Sequence, residues 1–334
     1  ATGAAARADA PAGAGSEGAA PPPRFSPLLD VSGLSVAFGD QPVVDDVTFA
    51  LRRSETLALV GESGSGKTLT GKALLRILPK GARITGGEAW FHPRRGGPMD
   101  LLALSRSAIR QVRGGRVSMI FQEPMSSLSP LHTVGDQTVE VVRLHDGLSG
   151  AEARDRCLEV FEQVGFPDPA RAWEAYPFEL SGGLRQRAMI AMALVCKPDL
   201  MIADEPTTAL DVTTQAQVLD LIKRLQAEMG LAVVLVTHDL GVVANMADRV
   251  VVMRKGRIVE AGGCRDILER PGHGYTRALI AAAPEIPEDA DRGKGAPQDP
   301  IFWARDLSKT YRLRHSGFGP EPEPIRAVQD VRLA

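Results

Sequence analysis

One glycine-rich stretch constrains the fold of this chain more than any other feature. It fits the pattern G-x-x-x-x-G-K-[ST], and its members are Gly61, Glu62, Ser63, Gly64, Ser65, Gly66, Lys67 and Thr68. An apolar run precedes it and a helix-like segment over 69–78 follows it, which is the context of a phosphate-binding loop. The motif predicts that Lys67 reaches the β- and γ-phosphates of a nucleoside triphosphate and that Thr68 ligates Mg²⁺. The alternative is a Gly/Ser-rich loop that merely precedes a helix.

Length and composition define the broad class of protein. The 334 residues are long for one domain and short for two complete domains of this kind, so a partial second unit is expected. The chain is 44% hydrophobic and 24% charged, as soluble globular proteins are. Its formal net charge of -2 argues against a protein that coats nucleic acid. No run approaches the roughly 20 apolar residues of a membrane span and no signal peptide is present, which predicts a cytosolic polypeptide.

The cysteines give no sign of a disulfide framework or a metal centre. Cys157, Cys196 and Cys264 are odd in number, far apart and without C-x-x-C spacing. We therefore expect buried or incidental thiols rather than zinc or iron–sulfur ligands.

The order of segments predicts an α/β protein behind a leader. Residues 1–27 are mostly Ala, Gly and Pro, a composition typical of disorder. Two β-patterns from residue 28 onward predict an antiparallel sheet, and Phe38 there is either a base-stacking aromatic or a core residue. Helical periodicity over 133–180 predicts a helical insertion. Farther on, apolar strands alternate with helices, which indicates a parallel sheet.

Polar side chains follow three of the predicted buried strands. Gln122 follows the first, Asp204 and Glu205 follow the second, and His238 follows the third. Ligands of parallel α/β sheets bind at the carboxyl ends of the strands, where two carboxylates suit a metal–water ligand and a general base. The alternatives are a solvated loop residue for Gln122, a helix cap for the carboxylates and a surface position for the histidine.

A second anion-binding pattern opens a helix predicted over 185–195. Ser181 is a plausible N-cap, and Gly182 and Gly183 leave the first N–H groups of the helix open to a phosphate. By itself this pattern is only a capped helix.

Taken together, these motifs resemble the nucleotide-binding domain of ABC transporters. The phosphate loop, Gln122, 180–184, Asp204-Glu205, Leu210-Asp211 and His238 occur in the order and spacing of that family, over about residues 28–284. The segments 121–130, 208–214 and 271–276 look like the dipeptide and oligopeptide importer branch. The resemblance implies an α/β fold with a RecA-like parallel core, an antiparallel β subdomain and a helical subdomain at about 123–185.

The resemblance also implies a role for each motif residue. Phe38 would stack on adenine, Lys67 would hold phosphates, and Thr68 and Gln122 would ligate Mg²⁺. Asp204 would hold the metal through water, Glu205 would activate the attacking water and His238 would contact the γ-phosphate. The Ser181–Gly183 loop would serve the ATP of a partner domain, because such domains dimerise head to tail. Asp211 is grouped with the nucleotide-binding residues.

Two departures from the family pattern affect these expectations. Leu184 stands where the commonest form of the family's signature motif, here residues 180–184, has Gln. Because relatives in the importer branch often carry an apolar residue at that position, we expect the signature motif to remain functional. Many importer-branch subunits carry a cysteine cluster for an iron–sulfur centre near the C-terminal extension. Because only Cys264 is present there, we predict no such centre.

The end of the chain repeats its beginning. Residues 306–311 and 325–333 parallel 33–38 and 43–49, which predicts the truncated opening of a second ABC domain over 301–334. The Pro-, Asp- and Glu-rich stretch 285–300 would be the linker. On this interpretation the chain is the first half of a tandem ATPase, and Tyr311 is the base-stacking aromatic of the second domain.

The resemblance implies ATP and Mg²⁺ as ligands and a transport function. Expected partners are a second ABC domain, two membrane permease subunits and, indirectly, a periplasmic or extracellular solute-binding protein, but no nucleic acid. The expected location is peripheral, on the cytoplasmic face of the inner membrane. A soluble ABC ATPase acting on ribosomes or DNA is the alternative, but the basic linker or zinc-binding inserts expected of it are not seen. A regulatory domain without turnover is opposed by the intact Glu205 and His238.

Overall fold

The computed structural model describes residues 27–122, 127–208, 210–282, 304–311 and 324–333. The chain divides into two compact units, and the division falls between Ala283 and Pro284. Apart from Pro27, the predicted leader lies outside the described residues, and so does the predicted linker. Among the described residues, none of the helices is both long and apolar enough to cross a bilayer.

An antiparallel sheet opens the first unit, as the sequence predicts. Its strands lie in the order β2-β1-β4-β5, with the bounds Leu29–Phe38 for β1, Gln41–Leu51 for β2, Ala82–Phe91 for β4 and Met99–Asp100 for β5. The apolar residues Leu29, Val31, Leu34 and Val36 of β1 are buried, and their alternation is interrupted where the register shifts between Val31 and Leu34. This sheet therefore has one face on the core and one toward solvent.

A six-stranded sheet forms the centre of the first unit. Its order is β10-β9-β3-β8-β7-β6, with the bounds Thr56–Val60 for β3, Val117–Ile120 for β6, Leu200–Asp204 for β7, Ala232–Val236 for β8, Arg249–Arg254 for β9 and Arg257–Gly263 for β10. All pairs are parallel except the β9–β10 hairpin. Every residue of β3, β7 and β8 is buried, which explains their continuous apolar runs.

The helices flank this sheet and build a separate layer after β6. Their bounds are Lys67–Leu74 for α1, Arg106–Val112 for α2, Val134–His145 for α3, Gly150–Gln163 for α4, Pro169–Glu174 for α5, Gly182–Leu194 for α6, Val212–Met229 for α7, Leu240–Met246 for α8, Cys264–Glu269 for α9 and Gly274–Ala281 for α10. Helices α3 to α5 are the predicted helical insertion. They pack on α6 around Phe161, which is fully buried 5.4 Å from the ring of Phe166.

Two helix boundaries differ from those predicted. Helix α1 ends at Leu74 rather than Leu78, because Arg76 has a left-handed φ of 54° and the Arg113 guanidinium binds the carbonyls of Leu75 and Arg76. Helix α6 begins at Gly182 rather than Arg185, since Ser181 caps it. This helix continues past residue 185, where the predicted helical subdomain ends.

In the described residues of the second unit, two strands form an antiparallel pair. Strands β11, Ala304–Tyr311, and β12, Ile325–Leu333, pair with irregular register. Ser308 and Asp330 exchange hydrogen bonds between the strands. The role predicted for Tyr311 concerns a side chain outside the described part of the structure.

Candidate active site

Four neighbouring parallel strands end at one edge of the central sheet. Strand β3 leads into the phosphate loop, β8 leads to His238, β7 ends at Asp204 and β6 leads to Gln122. Because these strands are adjacent and parallel, the residues that follow them meet at one edge. The fold thus brings together residues that are up to 177 positions apart in the sequence, from Gly61 to His238.

The phosphate loop needs glycine at its first and last glycine positions. Gly61 has a φ of 148°, and a Cβ there would lie 2.2 Å from the Met253 carbonyl oxygen. Gly66 has a φ of 101°, and a Cβ there would lie 3.0 Å from the Val43 carbonyl oxygen. The loop is therefore pressed against strand β9 and strand β2, with N–H groups near the start of α1 available to an anion.

Lys67 is folded back onto its own loop. Its Nζ donates to the carbonyls of Gly61 at 2.7 Å and Glu62 at 2.9 Å, and the Ser65 hydroxyl oxygen lies 3.5 Å away. Burial lowers the pKa of Lys67, and the charges of Glu205, Asp204 and Glu62 oppose that shift. The ammonium group is thus placed beside three carboxylates at the carboxyl edge of the sheet, where it can bind phosphate oxygens.

Thr68 and Asp204 form the part of the site that suits a divalent cation. The Thr68 hydroxyl donates to Asp204 Oδ1 at 2.8 Å. The second carboxylate oxygen, Oδ2, is buried with no hydrogen-bond partner among the described residues. Burial raises the pKa of Asp204, against the hydrogen bond from Thr68 and the charges of Lys72 and Lys67. A hydroxyl and a carboxylate oxygen without a partner are ligands that Mg²⁺ prefers, so these residues fit that ion.

Glu205 is the centre of a hydrogen-bonded group. Its Oε1 lies 2.9 Å from Nδ1 of His238, and its Oε2 accepts from Gln122 Nε2 at 2.8 Å and from the Thr208 hydroxyl at 2.9 Å. The side chain is only 14% exposed, whereas His238 is 62% exposed. A carboxylate held by three neighbours beside a phosphate loop can serve as a general base.

A pocket of about 300 Å³ lies between the phosphate loop and Glu205, and Asp204 and His238 are not among the residues that line it. The phosphate loop, helix α1, the polar residues after β6 and β7, and one aromatic ring at the rim form its lining. The lining residues are Phe38, Val43, Ser63, Gly64, Gly66, Lys67, Thr68, Leu69, Lys72, Pro79, Gln122 and Glu205. Phe38 is 38% exposed and so is not a core residue. Its ring is available for stacking on a planar ligand.

The predicted signature residues, all in the described part of the chain, do not line this pocket. Ser181 accepts from the Leu184 N–H at 3.3 Å, and a Cβ on Gly183 would lie 2.7 Å from Thr214 Cγ2. Asp211 accepts from the backbone and the hydroxyl of Thr214, at 2.9 and 2.7 Å, and these hydrogen bonds lower its pKa. The two segments thus pack together at the start of α7.

Sequence reasoning missed two residues of the site. Thr208 donates to Glu205 from three positions farther along the same turn, and a hydroxyl at that spacing from a carboxylate is a usable signal. Lys72 lines the pocket from helix α1, four residues and about one helical turn after Thr68. Its helical spacing from the loop could have indicated it.

These features define a P-loop protein that binds a nucleoside triphosphate at the carboxyl edge of a parallel sheet. The profile of the ABC transporter family matches residues 44–208. A probable peptide ABC transporter ATP-binding protein of Sinorhizobium fredii is 52% identical over 268 residues, which cover 79% of this chain and 78% of that protein. The chain belongs to the ABC transporter ATP-binding family, and it is an ABC-type ATPase that binds ATP.

Other relatives extend the comparison. A putative peptide import ATP-binding protein of Brucella melitensis is 48% identical, covering 78% of each chain. The glutathione import ATP-binding protein GsiA of Salmonella typhimurium is 43% identical over 91% of this chain, which spans only 53% of that relative.

Solved structures have the same fold. CbiO1 of Clostridium perfringens, part of an ABC transporter complex, has a TM-score of 0.62 and 26% identity over 73% of this chain and 91% of its own. The ATP-binding cassette MJ0796, a dimer bound to ADP and Pi, gives the same TM-score and identity over 71% and 99%.

Proposed function

We propose that this chain powers an importer of peptides or related small solutes by hydrolysing ATP at the cytoplasmic face of the inner membrane. The observation that carries the catalytic part is the convergence of Gln122, Thr208 and His238 on Glu205, beside the pocket that holds Lys67. The names of the relatives in Brucella, Sinorhizobium and Salmonella support the solute class.

In this proposal each site residue has a separate task. Phe38 stacks on the adenine, while Lys67 and the loop N–H groups bind the β- and γ-phosphates. Glu205 accepts a proton from the attacking water as the bond between the γ-phosphorus and its bridging oxygen breaks, which gives ADP and phosphate. His238, exposed beside Glu205, contacts the γ-phosphate. Phosphoryl transfer depends mainly on such positioning and charge stabilisation.

The metal would be held by Thr68, Gln122 and Asp204. Gln122 directs its amide nitrogen to Glu205, which leaves its carbonyl oxygen for a cation, and Asp204 would bind through water. When bound, Mg²⁺ neutralises phosphate charge.

A groove next to the site suits the membrane subunits. It has a volume of about 300 Å³ and is lined mostly by apolar side chains between the sheet core and the helical layer, among them Leu75, Phe121, Leu128, Leu144, Met189 and Met192. Leu144 is 66% exposed. Phe121 immediately precedes Gln122, so a permease segment in this groove would be coupled to the nucleotide site. A solute-binding protein would act only through the permease.

We further propose that the full-length protein is a tandem ATPase. The match to GsiA covers 91% of this chain, which is more than the first unit alone, within a relative about twice as long. Strands β11 and β12 pair as β1 and β2 do at the start of the first unit. The signature loop of one domain would then face the phosphates bound by the other.

Substitutions at Lys67 and Glu205 test the catalytic assignment. Lys67→Ala should weaken ATP binding at least about tenfold, because a charge-assisted contact to phosphate is lost. Glu205→Gln should bind ATP normally but hydrolyse it about 10²–10⁴ times more slowly, because the general base is gone. Titration with a fluorescent ATP analogue and steady-state ATPase assays measure the two effects.

Two residues of α7 that do not line the pocket supply matched controls for these two substitutions. Lys223→Ala and Glu228→Gln make the same chemical changes outside the pocket lining, where Lys223 contacts Asn245 and Glu228 contacts Arg224, and both should behave as the wild type. A Glu205→Gln protein that could not bind ATP would contradict the assignment of the general base.

A further inference from the structure

Tyr275 connects the C-terminal part of the first unit to the phosphate loop. Its hydroxyl oxygen accepts a hydrogen bond from the Glu62 N–H at 3.0 Å, across 213 residues of sequence. Tyr275 is the second residue of helix α10 and belongs to segment 271–276, which the sequence singles out and the proposed function leaves without a role. The contact links this segment to the residue that follows Gly61.

Both backbone groups of Glu62, its N–H and its carbonyl, form hydrogen bonds. While its N–H donates to Tyr275, its carbonyl accepts from the Ser65 N–H at 3.1 Å and from Lys67 Nζ at 2.9 Å. A shift of the Glu62 backbone would therefore move a partner of Lys67. The hydroxyl of Tyr275 thus influences the position of Lys67 through the backbone of Glu62.

Tyr275 is itself held in place. It is only 7% exposed and packs in a cluster with Val60, Val250 and Val252, and Val60 directly precedes the loop. The guanidinium of Arg254 lies 4.7 Å from the centre of its ring. A side chain enclosed in this way has few other rotamers, so its oxygen is a fixed acceptor.

The turn before Tyr275 is anchored as well. The carboxylate of Glu260, on strand β10, accepts from the N–H groups of Gly272 at 2.7 Å and His273 at 3.2 Å. His273 Nδ1 in turn accepts from the Tyr275 N–H at 3.1 Å and caps helix α10. Strand β10, the turn and the tyrosine form a continuous support behind the loop.

We propose that Tyr275 is a positioning residue for ATP binding, which holds the phosphate loop in its binding conformation through the Glu62 N–H. The inference rests on ATP as the ligand of this loop. Loss of one neutral hydrogen bond that preorganises a loop weakens binding by about three- to tenfold. Tyr275→Phe removes this hydroxyl and keeps the ring, its packing and its contact with Arg254.

Two measurements on the full-length protein test the proposal. The first is the Kd for ATP, which should rise about three- to tenfold in Tyr275→Phe. The second is the hydrogen-exchange rate of the Glu62 amide without nucleotide, which should increase by a similar factor, since that amide loses its acceptor. Tyr176→Phe is the matched control, because Tyr176 stacks on Phe178 and does not line the pocket.

The outcomes separate positioning from general stabilisation. Tyr275→Phe with lower thermal stability but an unchanged Kd for ATP would overturn the proposal, and so would equal losses of affinity in the two tyrosine variants. An unchanged Glu62 exchange rate would overturn it even if the wild type did not bind ATP. Failure of the wild-type protein to bind ATP would count against the proposed function.

Discussion

The backbone of Glu205 carries strain at the point where the chemistry is proposed. Its φ of 47° lies in the left-handed region, which costs a non-glycine residue of order 1–3 kcal/mol. The conformation is held from both sides, because the Glu205 N–H donates to the Val236 carbonyl at 2.8 Å and its carbonyl accepts from the Thr208 N–H at 3.2 Å. This turn directs one carboxylate toward both His238 and Gln122. The strained backbone is therefore part of what positions the carboxylate of the proposed general base.

The cysteine thiols should be unreactive in the folded protein. Burial raises the pKa of Cys157 to about 11, and burial with the neighbouring Asp146 raises the pKa of Cys196 to about 12. The thiolate is the nucleophile, and with this pKa only about one thousandth of the Cys157 thiol is deprotonated at pH 8. Labelling with a chromogenic disulfide should be slow at pH 8 and should accelerate roughly tenfold per pH unit.

Denaturation supplies the control for this labelling. All three thiols, which are free in the structure, should react rapidly in guanidinium chloride. A labelling rate of Cys157 that reached a plateau below pH 9 would contradict the raised pKa. Cys157→Ser identifies which part of the signal belongs to that residue.

Among the elements, the helical layer α3–α6 depends on a small aromatic centre. Phe161 is fully buried and contacts Phe166, with 5.4 Å between the ring centres. Phe161→Ala should reduce the free energy of unfolding by about 3–5 kcal/mol, because apolar burial is lost and a cavity remains. Phe178→Ala is the matched control, since that side chain is 60% exposed, and it should change stability by less than about 1 kcal/mol. Urea unfolding followed by circular dichroism measures both, and equal losses would contradict the prediction.

Local patterns in the sequence predict most of the elements but not all of their ends. Strands β3, β7 and β8 are buried on both faces, so their apolar runs are visible without tertiary information. The early end of helix α1 is not visible in this way. It depends on the guanidinium of Arg113, a side chain 37 residues beyond Arg76, and long-range contacts of this kind override local propensity.

The same distinction applies to the site. Glycine spacing predicts the phosphate loop, and the ends of parallel strands predict that Asp204, Glu205 and His238 meet at one edge. The contact of Tyr275 with Glu62 has no counterpart in local sequence, because it depends on how helix α10 packs against strands β3 and β9. A local pattern also predicts Ser181 as the cap of its helix, but it does not show that this cap lies outside the pocket lining.

At the scale of the whole molecule, we propose that the ATPase site is completed by a second domain. Gly183 lies against Thr214 near the start of α7, and neither Ser181 nor Gly183 lines the pocket that holds Lys67. The N–H groups of a signature helix would then reach phosphate only across an interface, and loss of one such donor costs on the order of 10²–10³ in rate. We therefore expect the 334-residue chain alone to bind ATP but to hydrolyse it weakly, with specific activity rising as protein concentration favours pairing.

Mixing two inactive variants tests this composite site. Lys67→Ala disables the phosphate loop of one chain, and Ser181→Arg blocks the signature loop of the other. In a mixed head-to-tail pair, the intact loop of the second chain faces the intact signature of the first, so one of the two sites is restored. Random pairing should then recover about a quarter of the wild-type activity at equal concentrations.

Each variant alone is the control, and a dilution series with sizing defines the concentration at which pairs form. No recovery in the mixture, together with constant activity of the wild type down to concentrations where only monomers are present, would show that one chain completes its own site.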